Sequence, residues 1–372
     1  MVDKADDPVD FNGRLLRQTD GQVDCSQYKI ENKGMFKTKV SCPELPQFRL
    51  DDPEKVQTRK VKINSALVIL NPMSKKGRGA KIYQEFVKKI GDSVKVEVLE
   101  TTHQDHAQQL ASETDMSQFD VLLICGGDGT VNEVLNGIME RKPEDRIPFA
   151  ILPGGSGNDG VRCLNQNRVS LEDTISMLFE GTTVAKIDLG CVKYGEGFSK
   201  RRYFLTQSGW GPVPVGSNKL VPKYKLFGSK AYDIAALHKI LAGGISHYDF
   251  KIDDRESSNT PLVAFIASNG RYTGGGMKMA PLSYLNDGKM DITLIRRASK
   301  CATLDMLGQV EKATHIYQPL LEYYRANKIT LTTTDEEFES EGDLRQTFLS
   351  PLEIVVDHLC IEAFVSPNNF EC

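Results

Sequence analysis

The sequence predicts an α/β protein, with an N-terminal open parallel sheet followed by a C-terminal, antiparallel β-rich domain. Short apolar runs at 66–70, 121–125 and 149–152 each end in a polar or Gly-rich turn, as strands of a buried parallel sheet do. Beyond about residue 182 the strand-like segments no longer alternate regularly with helices. A chain of 372 residues is long enough for two domains. We therefore expect an N-terminal extension at 1–60, a first domain at 64–182 and a second domain at 183–366.

The elements of the first domain follow from hydrophobic periodicity. After the strand at 66–70, apolar residues at 82, 86, 87 and 90 fall on one face of a helix. The pattern then predicts alternating strands and helices: a strand at 94–99, a helix at 106–113, a strand at 121–125, a helix at 132–139 and a strand at 149–152.

The second domain is predicted to consist mostly of strands. These are expected at 185–192, 203–207, 262–268, 290–295, 328–333 and 354–356. Helical patterns at 230–241 and 304–326 interrupt the strands.

Composition excludes several classes of protein. With 40% hydrophobic residues, 26% charged residues and a net charge of -4, the chain is neither disordered nor generally attracted to nucleic acid. No apolar run reaches the ~18 residues of a membrane span, and the polar N-terminal region does not resemble a signal peptide. The eight cysteines lack metal-ligand spacing. We therefore expect a cytoplasmic protein with reduced thiols.

The three turns at 71–79, 126–130 and 153–158 suggest a phosphate site. A Gly-rich turn between a buried strand and a helix lets backbone N–H groups approach an anion closely. One such turn is weak evidence, but three occur within about ninety residues. The first turn also contains Ser74, Lys75, Lys76 and Arg78, and Asp128 lies between glycines in the second. Such a carboxylate could deprotonate a hydroxyl or hold Mg²⁺, so the residues favour phosphoryl transfer.

The same turns resemble the catalytic domain of the diacylglycerol kinase and sphingosine kinase superfamily of lipid kinases. The similar segments are NPMSKKGRG at 71–79, GGDGTVNEVLNGI at 126–138 and PGGSGND at 153–159. Segments at 225–232, 269–277 and 286–291 resemble the lipid-binding domain of that family. Residues 101–139 are most similar to the eukaryotic sphingosine and ceramide kinase branch.

This resemblance implies a nucleotide-binding first domain, a lipid-binding second domain, and ATP and Mg²⁺ as cofactors. Asp128 would be the catalytic aspartate, and Asp128 and Glu133 would bind the metal. The residues that would contact the nucleotide are Asn71, Ser74, Lys76, Thr102, Gly126, Gly127, Gly129, Thr130, Glu133, Gly155, Ser156, Asn158 and Asp343.

Two departures from the family pattern affect substrate and catalysis. No carboxylate occurs in the segment 212–218 after Trp210-Gly211, where sphingosine kinases place an acid that meets the lipid ammonium. A buried ammonium without a counter-charge is costly, so neutral lipids such as diacylglycerol or ceramide are favoured and sphingosine stays open. The acids of Glu341-Gly342-Asp343 stand in the reverse of the usual order, which makes the role of Asp343 less certain than that of Asp128.

The predicted partner is the surface of an anionic membrane, because the lipid substrate resides there. Between 193 and 230 the chain has a single acidic residue and eight basic ones, a pattern that a solvated loop would also show. We expect peripheral membrane association, and the sequence leaves open whether the chain forms a homodimer. Two alternatives remain: a soluble kinase similar to NAD kinases, and a nucleotide- or lipid-binding module without catalysis. The basic residues are Lys193, Lys200, Arg201, Arg202, Lys219, Lys223, Lys225 and Lys230.

Overall fold

The predicted fold class is confirmed, since a parallel sheet is followed by an antiparallel, β-rich region. The computed structural model describes residues 29–32, 38–41, 58–220, 223–224, 234–235, 238–239, 244–297, 299–318, 320–333 and 337–366. Most of the predicted extension at 1–60 lies outside this part. Its described pieces are strand β1 (Lys29–Asn32), which pairs with β2 (Thr38–Ser41), and β3 (Thr58–Lys60), which pairs with a strand of the second region.

Four parallel strands form the first sheet, in the spatial order β7-β6-β4-β5. The sequence of β4, β6 and β7 is apolar throughout because these strands are buried on both faces. Their bounds are β4 (Ser65–Leu70), β5 (Lys95–Glu100), β6 (Val121–Gly126) and β7 (Phe149–Pro153).

Helices cover both faces of this sheet. Ile82 and Phe86 of the first helix are buried against it, as the periodicity predicts. The third helix begins at Asp128, four residues before the predicted start, so the end of the GGDGT motif forms the first helical turn. The helices are α1 (Arg78–Ile90), α2 (His106–Glu113), α3 (Asp128–Met139), α4 (Asp159–Leu164) and α5 (Leu171–Ser176).

The second region is a curved, mainly antiparallel sheet in the order β17-β16-β10-β12-β11-β15-β18. The last strand also runs parallel to β7, through the pair Ala363 and Phe149, so the two sheets are continuous. Because no break between the sheets marks a boundary, the domain limit near 182 stays a prediction from the sequence. The elements are β8 (Thr183–Tyr194), β9 (Lys200–Phe204), β10 (Gln207–Trp210), α6 (Pro212–Leu220), β11 (Ser246–Ile252), β12 (Arg255–Ser268), β13 (Met290–Arg296), α7 (Lys300–Val310), β14 (Leu321–Ala326), β15 (Lys328–Thr333), β16 (Glu337–Gly342), β17 (Thr347–Leu349) and β18 (Leu352–Phe364).

Two predicted elements of this region are wrong in extent. The helix predicted at 304–326 ends at Val310, and 321–326 forms β14, whose edge pairs with β13. The strand predicted at 203–207 is interrupted at Leu205 and Thr206, because their amides donate to Asp343. The helix predicted at 230–241 lies largely outside the described residues.

Candidate active site

The three predicted turns meet at the carboxyl edge of the parallel sheet, where ligands bind in open α/β sheets. The Ser74 hydroxyl of the first turn donates to the Gly154 carbonyl of the third, at 2.9 Å. The Asn71 amide of the first turn donates to the Thr130 hydroxyl behind the second turn, at 3.0 Å. Ser74, Asn71 and Thr130 are residues predicted for the nucleotide site, and these two contacts join the turns into one framework.

Glycine is needed at two points of this framework, once because of a close contact within the second turn and once because the second and third turns touch. A Cβ on Gly126 would lie 2.7 Å from the Thr130 side chain, and a Cβ on Gly155 would lie 2.7 Å from the Cα of Gly127. Asn158 fixes the third turn, since its Oδ1 accepts a hydrogen bond from the Gly155 amide at 2.8 Å.

Gly129 differs from these glycines, because a Cβ there would meet nothing within 4 Å. The side chain of Ser156, on the third turn, is also exposed. Packing does not explain the glycine at 129, so the open space beside it can admit a ligand that approaches the backbone closely.

Asp128 is held rigidly by the start of α4. Its carboxylate accepts hydrogen bonds from the backbone N–H groups of Asn158, Asp159 and Gly160, at 3.0, 2.9 and 3.3 Å. Two of these bonds reach Oδ1 and one reaches Oδ2. Because each carboxylate oxygen accepts about two hydrogen bonds, Oδ2 keeps one position for a further partner.

Asp343 is brought to the same region from the far end of the chain. Its Oδ2 accepts the amides of Leu205 and Thr206 at 3.0 and 2.7 Å, and its Oδ1 accepts the Thr206 hydroxyl at 2.7 Å. One position on Oδ1 therefore stays open. Burial, opposed in part by these hydrogen bonds and assisted by the charge of Asp128, raises the pKa of Asp343 to about 6.

Asp159 is a third carboxylate of the site, and sequence reasoning did not single it out. It accepts hydrogen bonds from the amides of Gly275 and Gly276, at 3.0 and 2.9 Å, and thereby ties α4 to the glycine-rich loop of the second region. Burial and the neighbouring charge of Asp128 raise the pKa of Asp159 to about 7. Its place at the end of the PGGSGND motif was the available signal.

Glu133 is not brought together with Asp128, so the prediction that the two bind one metal ion is not met. Glu133 is five positions after Asp128 on α3, which places the two side chains about 140° apart around the helix. The Glu133 carboxylate instead accepts the Ala107 amide at the start of α2, at 3.3 Å, and burial raises its pKa.

Two further predicted residues lie at the margin of the site. Lys76 is exposed on the first turn, in a left-handed backbone conformation. The Thr102 hydroxyl lies 2.9 Å from His103 Nδ1 and 3.2 Å from His106 Nδ1, just beyond β5.

The donor set fits a nucleotide with Mg²⁺ rather than a metal held by protein alone. Within the described ranges no group of three or more His, Cys, Asp or Glu residues is placed to hold a metal ion. Mg²⁺ commonly binds through one or two carboxylates together with substrate phosphates and water. The open position on Asp128, within the second glycine turn, meets that requirement.

The fold and the site have the arrangement expected of a phosphotransferase, with glycine turns at the edge of a parallel sheet that continues into a β-rich region. A family model for the diacylglycerol kinase catalytic domain matches residues 65–192, and one for the YegS C-terminal NAD kinase beta sandwich-like domain matches 214–360. A diacylglycerol kinase catalytic domain therefore forms the first region of this chain.

Relatives of this chain carry the names of more than one lipid kinase. It is 24% identical to sphingosine kinase 1 of Arabidopsis thaliana over 71% of this chain and 63% of that protein. It is 24% identical to diacylglycerol kinase of Bacillus subtilis over 63% of this chain and 75% of that protein. The chain thus spans less than two thirds of the plant relative. The predicted similarity to the eukaryotic branch stays a prediction, because bacterial diacylglycerol kinases match as well.

The fold is also that of a solved lipid kinase. A crystal structure of a diacylglycerol kinase from Bacillus anthracis aligns with a TM-score of 0.65 and 21% identity, over 83% of this chain and 99% of that one. This likeness shows the shared architecture.

Proposed function

We propose that this protein transfers the γ-phosphate of ATP to the hydroxyl of a neutral membrane lipid of the diacylglycerol or ceramide type. The observation that carries the proposal is the pair of Asp128 and Asp343, each anchored by backbone amides and each with one open acceptor position beside the glycine turns. Phosphoryl transfer depends mainly on positioning and charge stabilisation, which such a rigid arrangement supplies.

The two carboxylates are proposed to divide the work. Mg²⁺–ATP, when bound, supplies the phosphoryl group and the cation that spreads its charge. Asp128 lies within the second glycine turn and is the residue suited to hold the metal. Asp343 keeps one open acceptor position on Oδ1, and burial raises its pKa to about 6, so it is suited to accept the proton of the lipid hydroxyl. The lipid oxygen forms the new bond to phosphorus, the bond from the γ-phosphorus to its bridging oxygen breaks, and ADP leaves.

The choice of a neutral lipid rests on the segment after Trp210. Trp210 is fully buried against Phe265 and Phe348, so it anchors the start of α6 within the second core. The residues of α6 are PVPVGSNKL, and none of them is acidic. A sphingoid ammonium placed beside this helix would find no counter-charge on it, whereas a neutral lipid needs none.

Membrane contact is proposed to be peripheral and electrostatic. Within the described residues, no helix has both the length and the apolar character that a bilayer span requires. Of the basic residues predicted to face the membrane, Lys193 is paired with Glu353 and Lys219 with Glu339. Lys200 and Arg201 are exposed and form no salt bridge within the described part of the chain, so they are the stronger candidates for anionic headgroups.

The test is transfer of labelled γ-phosphate from ATP to diacylglycerol, ceramide, sphingosine and monoacylglycerol in mixed micelles, with NAD as a soluble acceptor. Label in diacylglycerol or ceramide is the expected result. Label in sphingosine alone would contradict the neutral-lipid proposal, and label in NAD would replace it with a soluble kinase. Nucleotide binding without any labelled acceptor would indicate a binding module.

A further inference from the structure

Two asparagines of α3 contact the backbone of the second region away from the phosphate turns. Asn136 Oδ1 accepts a hydrogen bond from the Tyr203 amide at 2.9 Å, and Asn136 Nδ2 donates to the Tyr203 carbonyl at 3.0 Å. Asn132 Nδ2 donates to the same carbonyl at 2.7 Å. The Asn136 side chain therefore pairs with Tyr203 through one donor and one acceptor, as a neighbouring strand would.

The hydrogen bonds between Asn136 and Tyr203 are buried, so removing either partner would leave the other unsatisfied. Asn136 is 4% exposed, and Tyr203 is buried on β9, so water cannot readily replace these hydrogen bonds. Asn132 and Asn136 are four residues apart and share one face of α3. Asn136 Nδ2 also donates to the Asn132 carbonyl at 2.9 Å, which keeps the amide in its orientation.

The position of Tyr203 connects this contact to catalysis. Leu205 and Thr206, which follow it by two and three residues, donate the hydrogen bonds that hold the Asp343 carboxylate. Asp128 begins the helix that carries Asn136, about 12 Å along its axis. The side chain of Asn136 on α3 is thus connected through the backbone of residues 203–206 to the amides that bind the Asp343 carboxylate.

We propose that Asn136, assisted by Asn132, is a positioning residue. It fixes the turn at 205–206, whose amides bind Asp343, relative to the helix that begins at Asp128. This inference rests on the proposed function, because it concerns how the two carboxylates are placed for transfer. Asn136 contacts neither carboxylate directly, so its effect must pass through Tyr203 and the turn at 205–206.

The test compares Asn136→Ala with the control variant Thr174→Val. The control also removes a buried side-chain hydrogen bond of a helix, but this bond is local to α5, where the Thr174 hydroxyl donates to the carbonyl of the N-cap residue Ser170. We expect Asn136→Ala to lower kcat about tenfold or more while the KM values for ATP and lipid change less than twofold. Thr174→Val should lower thermal stability without changing either. Equal kcat for both variants, corrected for folded fraction, would overturn the proposal.

A second readout does not depend on lipid kinase activity. Amide hydrogen exchange of the peptide containing Leu205 and Thr206 should be faster in Asn136→Ala than in wild type, and unchanged in Thr174→Val. Unchanged exchange in Asn136→Ala would overturn the positioning role even if no lipid substrate is found. Faster exchange in Asn136→Ala, combined with a wild-type protein that phosphorylates no lipid, would instead locate the failure in the proposed function. Asn132→Ala, which leaves both Asn136 bonds to Tyr203, should show a smaller change in each readout.

Discussion

Gly155 approaches Gly127 so closely that a Cβ on Gly155 would lie 2.7 Å from the Cα of Gly127. Two turns that are 28 positions apart in the sequence are thus packed backbone against backbone. Gly129, only two residues beyond Gly127, faces open space instead. This contrast separates glycines that the fold requires from one beside which space for a ligand is left.

Alanine substitutions at Gly155 and Gly129 should therefore have different effects. Gly155→Ala should destabilise the protein by about 1–3 kcal/mol, because the turns must move apart to relieve the contact. Gly129→Ala lies in the first turn of α3 and should leave stability unchanged or raise it by up to about 1 kcal/mol. It should nevertheless raise the KM for ATP about tenfold, because a methyl group fills the space left for phosphate.

Chemical unfolding and steady-state kinetics of both variants check this prediction. A Gly129→Ala protein with unchanged ATP affinity would mean that the nucleotide does not approach this turn. Loss of stability in Gly129→Ala would contradict the open space that the structure shows there.

Asp128→Asn should reduce phosphate transfer by about 10²–10⁴-fold, the range lost when a group that handles protons or charge at a reacting centre is removed. The amide oxygen can still accept two of the three backbone N–H groups at the start of α4, those of Asp159 and Gly160, so the protein should fold. Nucleotide binding, followed by equilibrium titration without turnover, should stay within a few-fold of wild type. Asp145→Asn, at an exposed acid of the same region, is the matched control. Normal turnover in Asp128→Asn would refute the role given to this residue.

The phosphate-binding half of the site was accessible from sequence because its features are local. Strands buried on both faces produce apolar runs, and the glycine turns directly follow them, so Asn71, Asp128, Gly155 and Asn158 could be placed without coordinates. The contacts of Asp159 with Gly275 and Gly276 could not be predicted from the sequence, since 116 and 117 positions separate the partners. Glu133 was misplaced because its motif indicated a shared site, whereas helical geometry points it towards α2.

The errors in the second region have a similar origin. Residues 321–326 contain good helix formers, but pairing with β13 overrides that preference. The break at Leu205 and Thr206 is imposed by Asp343, which lies 138 and 137 positions away. Local patterns contain no information about such distant partners.

Charge reversal at Lys200 and Arg201 should weaken binding to vesicles of mixed neutral and anionic lipids. Each exposed basic residue near the surface contributes about 1 kcal/mol of attraction, so replacing both by Glu should reduce binding at least tenfold at low salt. Sedimentation with vesicles measures this effect. The control is the double variant Lys62→Glu/Lys95→Glu, which changes the net charge by the same amount. These two exposed lysines lie at the amino end of the parallel strands, away from the site. Equal losses in both pairs would show that net charge, and not this surface, determines binding.

His315 predicts how stability responds to acid. It is fully buried beneath the loop of Met279, its Nε2 lies 3.0 Å from the Met279 carbonyl, and burial lowers its pKa to about 4. The unfolded chain takes up a proton at this residue near its ordinary pKa of 6.5, while the folded protein does so only near pH 4. Between these values the unfolded state binds more protons, so the free energy of unfolding must fall as the pH is lowered.

Replacing His315 by Gln, which can still donate to the Met279 carbonyl, should remove this contribution. Relative to wild type, the variant should lose roughly 3 kcal/mol less stability between pH 6.5 and 4, because a shift of one pKa unit corresponds to about 1.4 kcal/mol. Denaturant unfolding at several pH values gives the difference directly, since the other titrating groups, including Asp159 and Asp343, are common to both proteins. Parallel stability curves for the two proteins over this range would show that His315 takes up its proton equally well in the folded state.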